Sequence, residues 1–513
     1  MRGLVFWICA VVTVAIAHAT TAPSLDDKVT IIGAGPGGIH MAMLLKERGY
    51  TDVTILEKSQ RIGGKSWTYW YKGTPFELGT CYMHPRYDAI RDLLRKYNAS
   101  RPGLADESWN DPSYVVYTSD LRVAPDRHVP MEKKEWMLSA IEKDVLPFSL
   151  WGLPRSISKV FIWRHANRYM QKHREIFGEG FNQYQFPPRL SEEQLDQYGL
   201  RLPAEQWLMK NNMLALKSLL KFGLSAQGYG LLETMPAYYM LWWISADMLQ
   251  GVLEALQDKS GTKPPVKATL RNGFQALWET IAQAEDLKIR FGFGVTRIDR
   301  SGPSIRIFGP QHQELTTDWL ILAVPIQENL NMLDATDDEL VLFESQTSFA
   351  IKSTLWENNP VGGACELWRN ALNYGVQFWP DRMVPEEAGQ VYALRCPPKE
   401  LARNAAAYAA ASHDVQVAYQ FADTALANQF DNDTMRHLFK SWASWEGLDH
   451  VSIIAEFWTR YFYHWRPNDV GNAWRLFDLQ GHKRTWYIGS SASFESVLNV
   501  VNYNRMLLDT ISP

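Results

Sequence analysis

Residues Gly33-Ala34-Gly35-Pro36-Gly37-Gly38 place glycines at the three fixed positions of a G-x-G-x-x-G pattern, Gly33, Gly35 and Gly38. Each has its own mechanical task. The first permits a tight turn, the second lets the backbone approach a pyrophosphate, and the third lets a helix pack closely on a strand. A helix opening at Pro36 would aim its free N–H groups and positive dipole end at those phosphates. Glu57 follows 24 positions after Gly33, suited to accept hydrogen bonds from a ribose and to repel a 2′-phosphate. The context makes the pattern informative. Val29 to Ile32 is β-branched, Ile39 to Arg48 has apolar residues at helical spacing, and Val53 to Leu56 is again strand-like, which together spell a βαβ dinucleotide-binding unit.

The residues after Glu57 narrow the dinucleotide. Arg61 carries a planar fork able to clamp diphosphate oxygens, and Gly63-Gly64, followed by Lys65, would let a loop pass against an extended cofactor. Further blocks are Phe76-Glu77-Leu78-Gly79-Thr80, Gly273 with Leu277 and Ile281, Val295, Thr485 to Ser490, and Ser493 to Val497. In this order the blocks resemble the flavin-containing amine oxidoreductase superfamily. The resemblance implies non-covalently bound FAD, contacted at Gly33, Gly35, Pro36, Gly38, Glu57, Arg61, Gly64, Lys65, Thr80, Val295, Gly489, Ser490 and Val497. One departure concerns Gly489-Ser490, which stands where the superfamily usually has Gly-Glu and leaves a hydroxyl in place of a carboxylate. No cysteine follows there to tether a flavin, and no second G-x-G-x-x-G appears in strand–helix context.

Within the superfamily, Gly228-Tyr229-Gly230, Pro236-Ala237-Tyr238, Tyr461-Phe462-Tyr463-His464 and Ser493-Phe494-Glu495 are most similar to polyenoic fatty acid isomerases and the β-cyclopiazonate dehydrogenase group. That resemblance implies hydride abstraction from an activated C–H bond of a small apolar substrate, with an isomerase returning the hydride at another carbon. An FAD-dependent amine oxidase or dehydrogenase of a small hydrophobic metabolite, and a non-catalytic lipid-binding protein on the same fold, are the rival readings. Tyr461, Tyr463, His464 and Trp465 are expected to wall the substrate cavity, with core packing as the alternative; spacing alone identifies no catalytic acid or base.

The elements that must position these residues fall into separated blocks of one style. The expected fold class is α/β: a discontinuous Rossmann-like FAD-binding domain (residues 26–85, 265–326 and 451–513) with an inserted α+β substrate domain (86–260 and 327–450). Strands are predicted within Leu287 to Ile298, at Ile305 to Phe308, Trp319 to Val324, Val376 to Phe378, Val391 to Leu394 and Thr485 to Ile488. Helices are predicted around Leu401 to Ser412 and Ser496 to Asp509. The 513 residues carry a formal net charge of −4, so no basic field exists to gather nucleic acid. The 21 Trp, 22 Tyr and 22 Phe must be buried or line a cavity. Nothing in the chain fixes an oligomeric state.

Residues 1–19 read as a signal peptide, with Arg2, an apolar run from Leu4 to Ala17 too short to span a bilayer, and Ala17-His18-Ala19 at the cleavage point. Secretion or a secretory-pathway lumen follows as the expected location, with no stable membrane span. Cys9 would leave with that segment, so Cys81, Cys365 and Cys396 permit at most one disulfide. They show no zinc-type spacing, and no metal is expected. The mature chain should begin near Thr20. Terminal sequencing of secreted material checks this, and Met1 retained on a cytosolic protein would overturn it.

Overall fold

The computed structural model describes residues 22–109, 115–117, 131–145, 155–225, 227–257, 267–358, 371–373, 389–396, 415–422, 429–445, 448 and 450–511. The strand segments predicted at Val376 to Phe378 and the helix at Leu401 to Ser412 lie outside the described residues, as do residues 1–19 and Cys365. Among the described residues no disulfide joins Cys81 to Cys396, and Cys396 Sγ accepts from Gln416 Nε2 at 3.2 Å.

β1 (Val29–Ile32) is buried along its whole length, as expected for a β-branched strand covered on both faces. It feeds α1 (Pro36–Glu47), which has proline in its first turn, and the chain returns through β2 (Val53–Leu56). β2 pairs in parallel with β1, with Val29 opposite Val53 and Ile32 opposite Leu56. β3 (Lys288–Arg290) extends the sheet beyond β2. On the other side β1 pairs with β4 (Trp319–Leu322), and β4 with the C-terminal strand Thr485–Tyr487. All five strands are parallel and the order reverses at β1. The crevice beyond the carboxyl end of β1 is therefore the switch point where such sheets bind ligands. The C-terminal helix Val497–Ile511 packs against α1, where Asn504 donates to the Gly37 carbonyl at 2.8 Å.

A second, seven-stranded sheet is mostly antiparallel and is built on two long strands, β5 (Gln346–Asn358) and β6 (Val451–Trp465). Its further strands are Val415–Ala422, Val391–Arg395, Ala371–Asn373, Val115–Tyr117 and Met131–Glu132. This corrects one expected boundary. Residues 451–465 belong to the second sheet, not to the cofactor sheet, because β6 is hydrogen-bonded along β5 from Asn358–Val451 to Gln346–Trp465. The chain rejoins the parallel sheet only at Thr485. Helices Arg155–Phe177, Ala204–Lys210 and Ala237–Trp243 pack together, with Tyr169, Trp207, Tyr238 and Trp242 buried among them.

A β-hairpin, Thr68–Tyr71 with Thr74–Glu77, links the two sheets. Its Phe76 and the following Leu78 pack with Leu355, Val415 and Val417 of the second sheet. Its Glu77 carboxylate accepts from the backbone N–H of Phe274 (2.8 Å) and from Thr68 Oγ1 (2.9 Å), which pins the hairpin to the start of the helix Gln275–Ala284. Burial raises the Glu77 pKa to about 7, against the opposing pull of these two donors and of Arg395. A carboxyl pKa raised on folding stabilises fully below the unfolded value and loses that contribution as pH climbs through the folded one. Wild-type thermal stability should therefore fall between about pH 4.5 and 7 relative to Glu77→Gln, whose amide mimics the protonated carboxyl. Parallel melting curves for the two proteins across this window would refute the assignment.

Candidate active site

Three loops far apart in sequence converge at the carboxyl edge of the parallel sheet. Gly33 follows β1 with φ of +106°, a conformation costly for any other residue, and its N–H donates to the Leu56 carbonyl at 2.8 Å. A Cβ on Gly38 would lie 2.0 Å from the Gly33 carbonyl oxygen, so α1 can approach its own loop only with glycine there. A Cβ on Gly64 would lie 3.0 Å from the Gly35 Cα, and one on Gly37 would lie 3.2 Å from the Gly489 Cα. The first glycine loop is thus flanked by the 63–64 loop and by the turn after the last strand. α1 opens at Pro36 without a side-chain cap, which leaves its first-turn N–H groups for an anion.

The charged residues frame this groove. Glu57 holds the loop, Oε2 accepting from Ala34 N–H and Oε1 from Ser59 N–H, both at 2.8 Å. Each oxygen keeps a second lone pair for a ribose hydroxyl. Arg61 lies 4.8 Å from the Trp67 ring centroid and donates through Nη2 to the Gly64 carbonyl at 2.8 Å. Its Nη1 is buried with no hydrogen-bond partner among the described residues, and burial lowers the guanidinium pKa against the pull of Glu57 and Glu279. A buried donor left unpaired costs about 1–3 kcal/mol. An acceptor such as a diphosphate oxygen removes that cost, so the residues present fit the dinucleotide.

Thr80 is carried on a loop tied to the 65–66 segment by its N–H to the Lys65 carbonyl (3.2 Å) and by a Ser66–Thr80 hydroxyl pair (2.8 Å). Val295 sits just beyond the contacts that join Gly292 N–H to Ser59 and Phe293 N–H to Glu57, on the Glu57 side of the groove. Gly489 and Ser490 lie at the opposite end. Ser490 Oγ accepts from Lys65 Nζ at 3.2 Å. Val497 opens the C-terminal helix, and Ser496 Oγ caps it by accepting from Asn499 N–H at 3.2 Å.

Of the four aromatic residues expected to wall a substrate cavity, the structure brings two to this end. Lys65 Nζ lies 5.4 Å from the Tyr461 ring centroid and 5.1 Å from that of Tyr463. The same ammonium pairs with Glu495 at 2.5 Å. Tyr461 stacks on Tyr229 with centroids 6.0 Å apart and planes 5° from parallel, and the Tyr463 hydroxyl bonds Glu328. His464 and Trp465 are placed elsewhere, which corrects the expectation for both. His464 is buried between Phe349 (5.3 Å) and Phe462 (5.0 Å), its Nδ1 bonded to the Phe462 carbonyl at 2.8 Å. Burial lowers its pKa to about 4, so it is a neutral core residue. Trp465 donates through Nε1 to the Leu342 carbonyl and through its N–H to Tyr239 Oη at 2.9 Å. The side chains alternate along β6, so Tyr461 and Tyr463 face Lys65 while Phe462 and His464 face the helix Ala237–Trp243.

Sequence reasoning assigned no role to several residues found here. Glu495 also accepts Phe462 N–H at 2.8 Å. The Tyr82 hydroxyl bonds Gln227, and Arg395 Nη2 donates to the Cys81 carbonyl at 2.9 Å. Tyr392 and Cys81 lie within electrostatic reach of Tyr461. Burial raises the pKa of Tyr229, Tyr392 and Tyr461 alike, keeping all three as neutral phenols. Tyr229 and Glu495 stood in quoted motifs, whereas Arg395 and Tyr392 carried no spacing signal.

A parallel switch-point sheet and a glycine-lined groove beside a cluster of buried tyrosines define a dinucleotide-binding α/β protein. Residues 36–402 match the family described as flavin containing amine oxidoreductase, and the chain belongs to that family. FAD is accordingly its cofactor, and the protein is an enzyme. It is 22% identical to a polyenoic fatty acid isomerase from Ptilota filicina, across 97% of this chain and 96% of the relative. A shorter match, 32% over 93 residues or 18% of each chain, is to an L-amino-acid oxidase from Crotalus adamanteus. The fold is shared with a CLA-producing fatty acid isomerase from P. acnes (TM-score 0.68, 21% identity, 96% of this chain and 100% of that one). It is also shared with putrescine oxidase bound to putrescine (TM-score 0.59, 13% identity, 94% and 98%).

Arg61→Ala should weaken FAD retention by roughly 10- to 150-fold, the equivalent of about 1.5–3 kcal/mol for a hydrogen bond to a charged group. The flavin-to-protein absorbance ratio after dialysis, compared with wild type, measures it. Equal retention would show that Nη1 does not meet the diphosphate.

Proposed function

We propose that the enzyme isomerises a polyunsaturated fatty acid to a conjugated form, removing hydride from an activated C–H bond and returning it at another carbon of the same chain. The observation that carries this reading is the occupant of the tyrosine pair. Lys65 Nζ faces both the Tyr461 and Tyr463 rings and is fixed there by Glu495 and Ser490. An amine substrate would need that aromatic space and would meet a cation already in it; an acyl chain needs only apolar walls. When bound, FAD supplies a two-electron acceptor that can take hydride from carbon and give it back.

The chain's own residues orient and enclose. Tyr229, Tyr461 and Tyr392 offer neutral ring surface for a polyene, and the Lys65–Glu495 pair keeps the Tyr461 and Tyr463 rings in register beside the cofactor turn. Burial of these groups excludes water from the reacting carbon. Similarity along the full length to a polyenoic fatty acid isomerase supports the substrate class.

The test is anaerobic incubation of the holoenzyme with polyunsaturated fatty acids and, separately, with amines, following the flavin band and the conjugated-diene or triene band together. Conjugated product should accumulate over many turnovers without peroxide and without lasting bleaching. Stoichiometric bleaching by an amine, with turnover resumed only in air, would replace this reading with an oxidase; failure to convert any polyunsaturated fatty acid would refute it.

A further inference from the structure

We propose that one outer face of the helix Arg155–Phe177, with the neighbouring turn between Met209 and Leu214, docks on an anionic lipid bilayer. The proposal concerns residues with no part in the site described above and stands independently of the isomerase reading. Four large apolar side chains are exposed here: Val160 (71%), Phe161 (41%), Met209 (57%) and Leu214 (38%). Two segments bring them together. His165 Nδ1 and Arg168 Nη1 both contact the Asn212 carbonyl, at 2.9 and 3.1 Å, which seats the turn against the helix. At 100° per residue, Phe161, His165 and Arg168 share the side that meets the turn, and Val160 and Arg164 continue it outward. Ile162, Ala166, Tyr169 and His173 occupy the opposite, buried side.

The charge on this face selects the occupant. From Val160 to Gln171 the helix carries Arg164 and Arg168 together with His165, and no Asp or Glu. Lys210 adds a cation beside Met209. The acidic neighbours are engaged, Glu205 with Lys217 at 2.7 Å and Glu175 with Lys172 at 2.9 Å. A cationic, apolar face on a chain of net charge −4 is a local reversal. Cations interleaved with aromatic and aliphatic side chains match the two layers of a bilayer surface, anionic headgroups over acyl chains. Among the described residues no helix is long and apolar enough to cross a membrane, so attachment would be peripheral.

The experiment is co-sedimentation of the holoenzyme with vesicles of phosphatidylglycerol and phosphatidylcholine and with vesicles of phosphatidylcholine alone. Wild type should bind the anionic vesicles preferentially and release from them as salt rises. Arg164→Glu with Lys210→Glu should weaken that binding by at least about 25-fold, about fivefold per cation removed. Phe161→Ser with Met209→Ser should weaken binding to the same vesicles while leaving isomerase or oxidase turnover of dispersed substrate unchanged. All four positions are exposed, and melting curves matching wild type confirm folding; the salt titration needs no substitution at all. Absence of wild-type binding, binding insensitive to salt, or binding unchanged in both variants would overturn the proposal. So would a wild-type dimer that Phe161→Ser with Met209→Ser converts to monomer, which would make the face an interface between copies of this chain.

Discussion

The Glu495 carboxylate is the point on which the active end of the molecule turns. Oε1 pairs with Lys65, 430 positions earlier, and Oε2 accepts Phe462 N–H, 33 positions earlier. One buried group therefore ties the cofactor loop, the end of β6 and the start of the C-terminal helix. A buried ion pair adds little net stability once desolvation is counted, but removing one partner leaves the other charge stranded, so its main effect is geometric. Phe462 shows why the geometry needs fixing. Its φ of +51° is unusual for a bulky residue and lies at a register shift between β5 and β6. The bulge takes Phe462 N–H out of the ladder, and Glu495 satisfies it. Lys65, held by the same carboxylate, then meets the Tyr461 and Tyr463 rings.

A groove assembled from distant segments also requires the last parallel strand to be seated firmly. Arg300 does this from a fully buried position. It pairs with Glu339 and Asp334, each at 2.7 Å, and donates to Thr485 Oγ1 at 3.2 Å. Glu339 in turn closes a capping box with Thr336. Burial opposes the charge on both partners, yet their mutual hydrogen bonds prevail and hold the Glu339 pKa near 2. With Thr485–Tyr487 fixed beside β4, the following turn delivers Gly489 against Gly37 and Ser490 against Lys65. The hydroxyl of Ser490 is thus a partner of the lysine, and the carboxylate at this end comes from Glu495, five positions later.

The parts of this site that repeat a local grammar were legible from the residues alone. Gly33, Gly35 and Gly38 between β-branched strands announce β1, α1 and β2 because the turn, the close approach and the helix start all act within a few residues. Strands at Trp319 and Thr485 were readable for the same reason, as short apolar runs ended by glycine or proline. What failed to show was the pairing between distant segments. β6 read as the start of the last cofactor block because nothing within Val451–Trp465 records that its partner is β5. Tyr461, Tyr463, His464 and Trp465 read as one aromatic cluster; only tertiary contacts separate the pair that faces Lys65 from His464, on the other side of the strand, and from Trp465, which bonds the Leu342 carbonyl and Tyr239. Arg61 was legible as a cation in a glycine-rich loop, but its unpartnered Nη1 is a property of burial.

The electrostatic state of the tyrosine cluster bears on which hydride chemistry suits it. Tyr229, Tyr392 and Tyr461 are kept protonated by burial, and His464 is neutral, buried on the far side of β6 and held by the Phe462 carbonyl. The carboxylates within reach are engaged, Glu495 with Lys65 and Phe462 N–H and Glu328 with the Tyr463 hydroxyl. Proton abstraction from carbon would require one of these groups to surrender its partner or to ionise against its burial. Removal of hydride and its return to the same carbon skeleton leaves no proton to be taken up or released, so walls of neutral phenols suffice. A redox-neutral reaction of a polyene is thus compatible with the cluster as it stands, whereas a net oxidation that releases a proton would need an acceptor for it. This asymmetry, together with the lysine already seated between Tyr461 and Tyr463, is why the isomerase reading is preferred over oxidation of an amine.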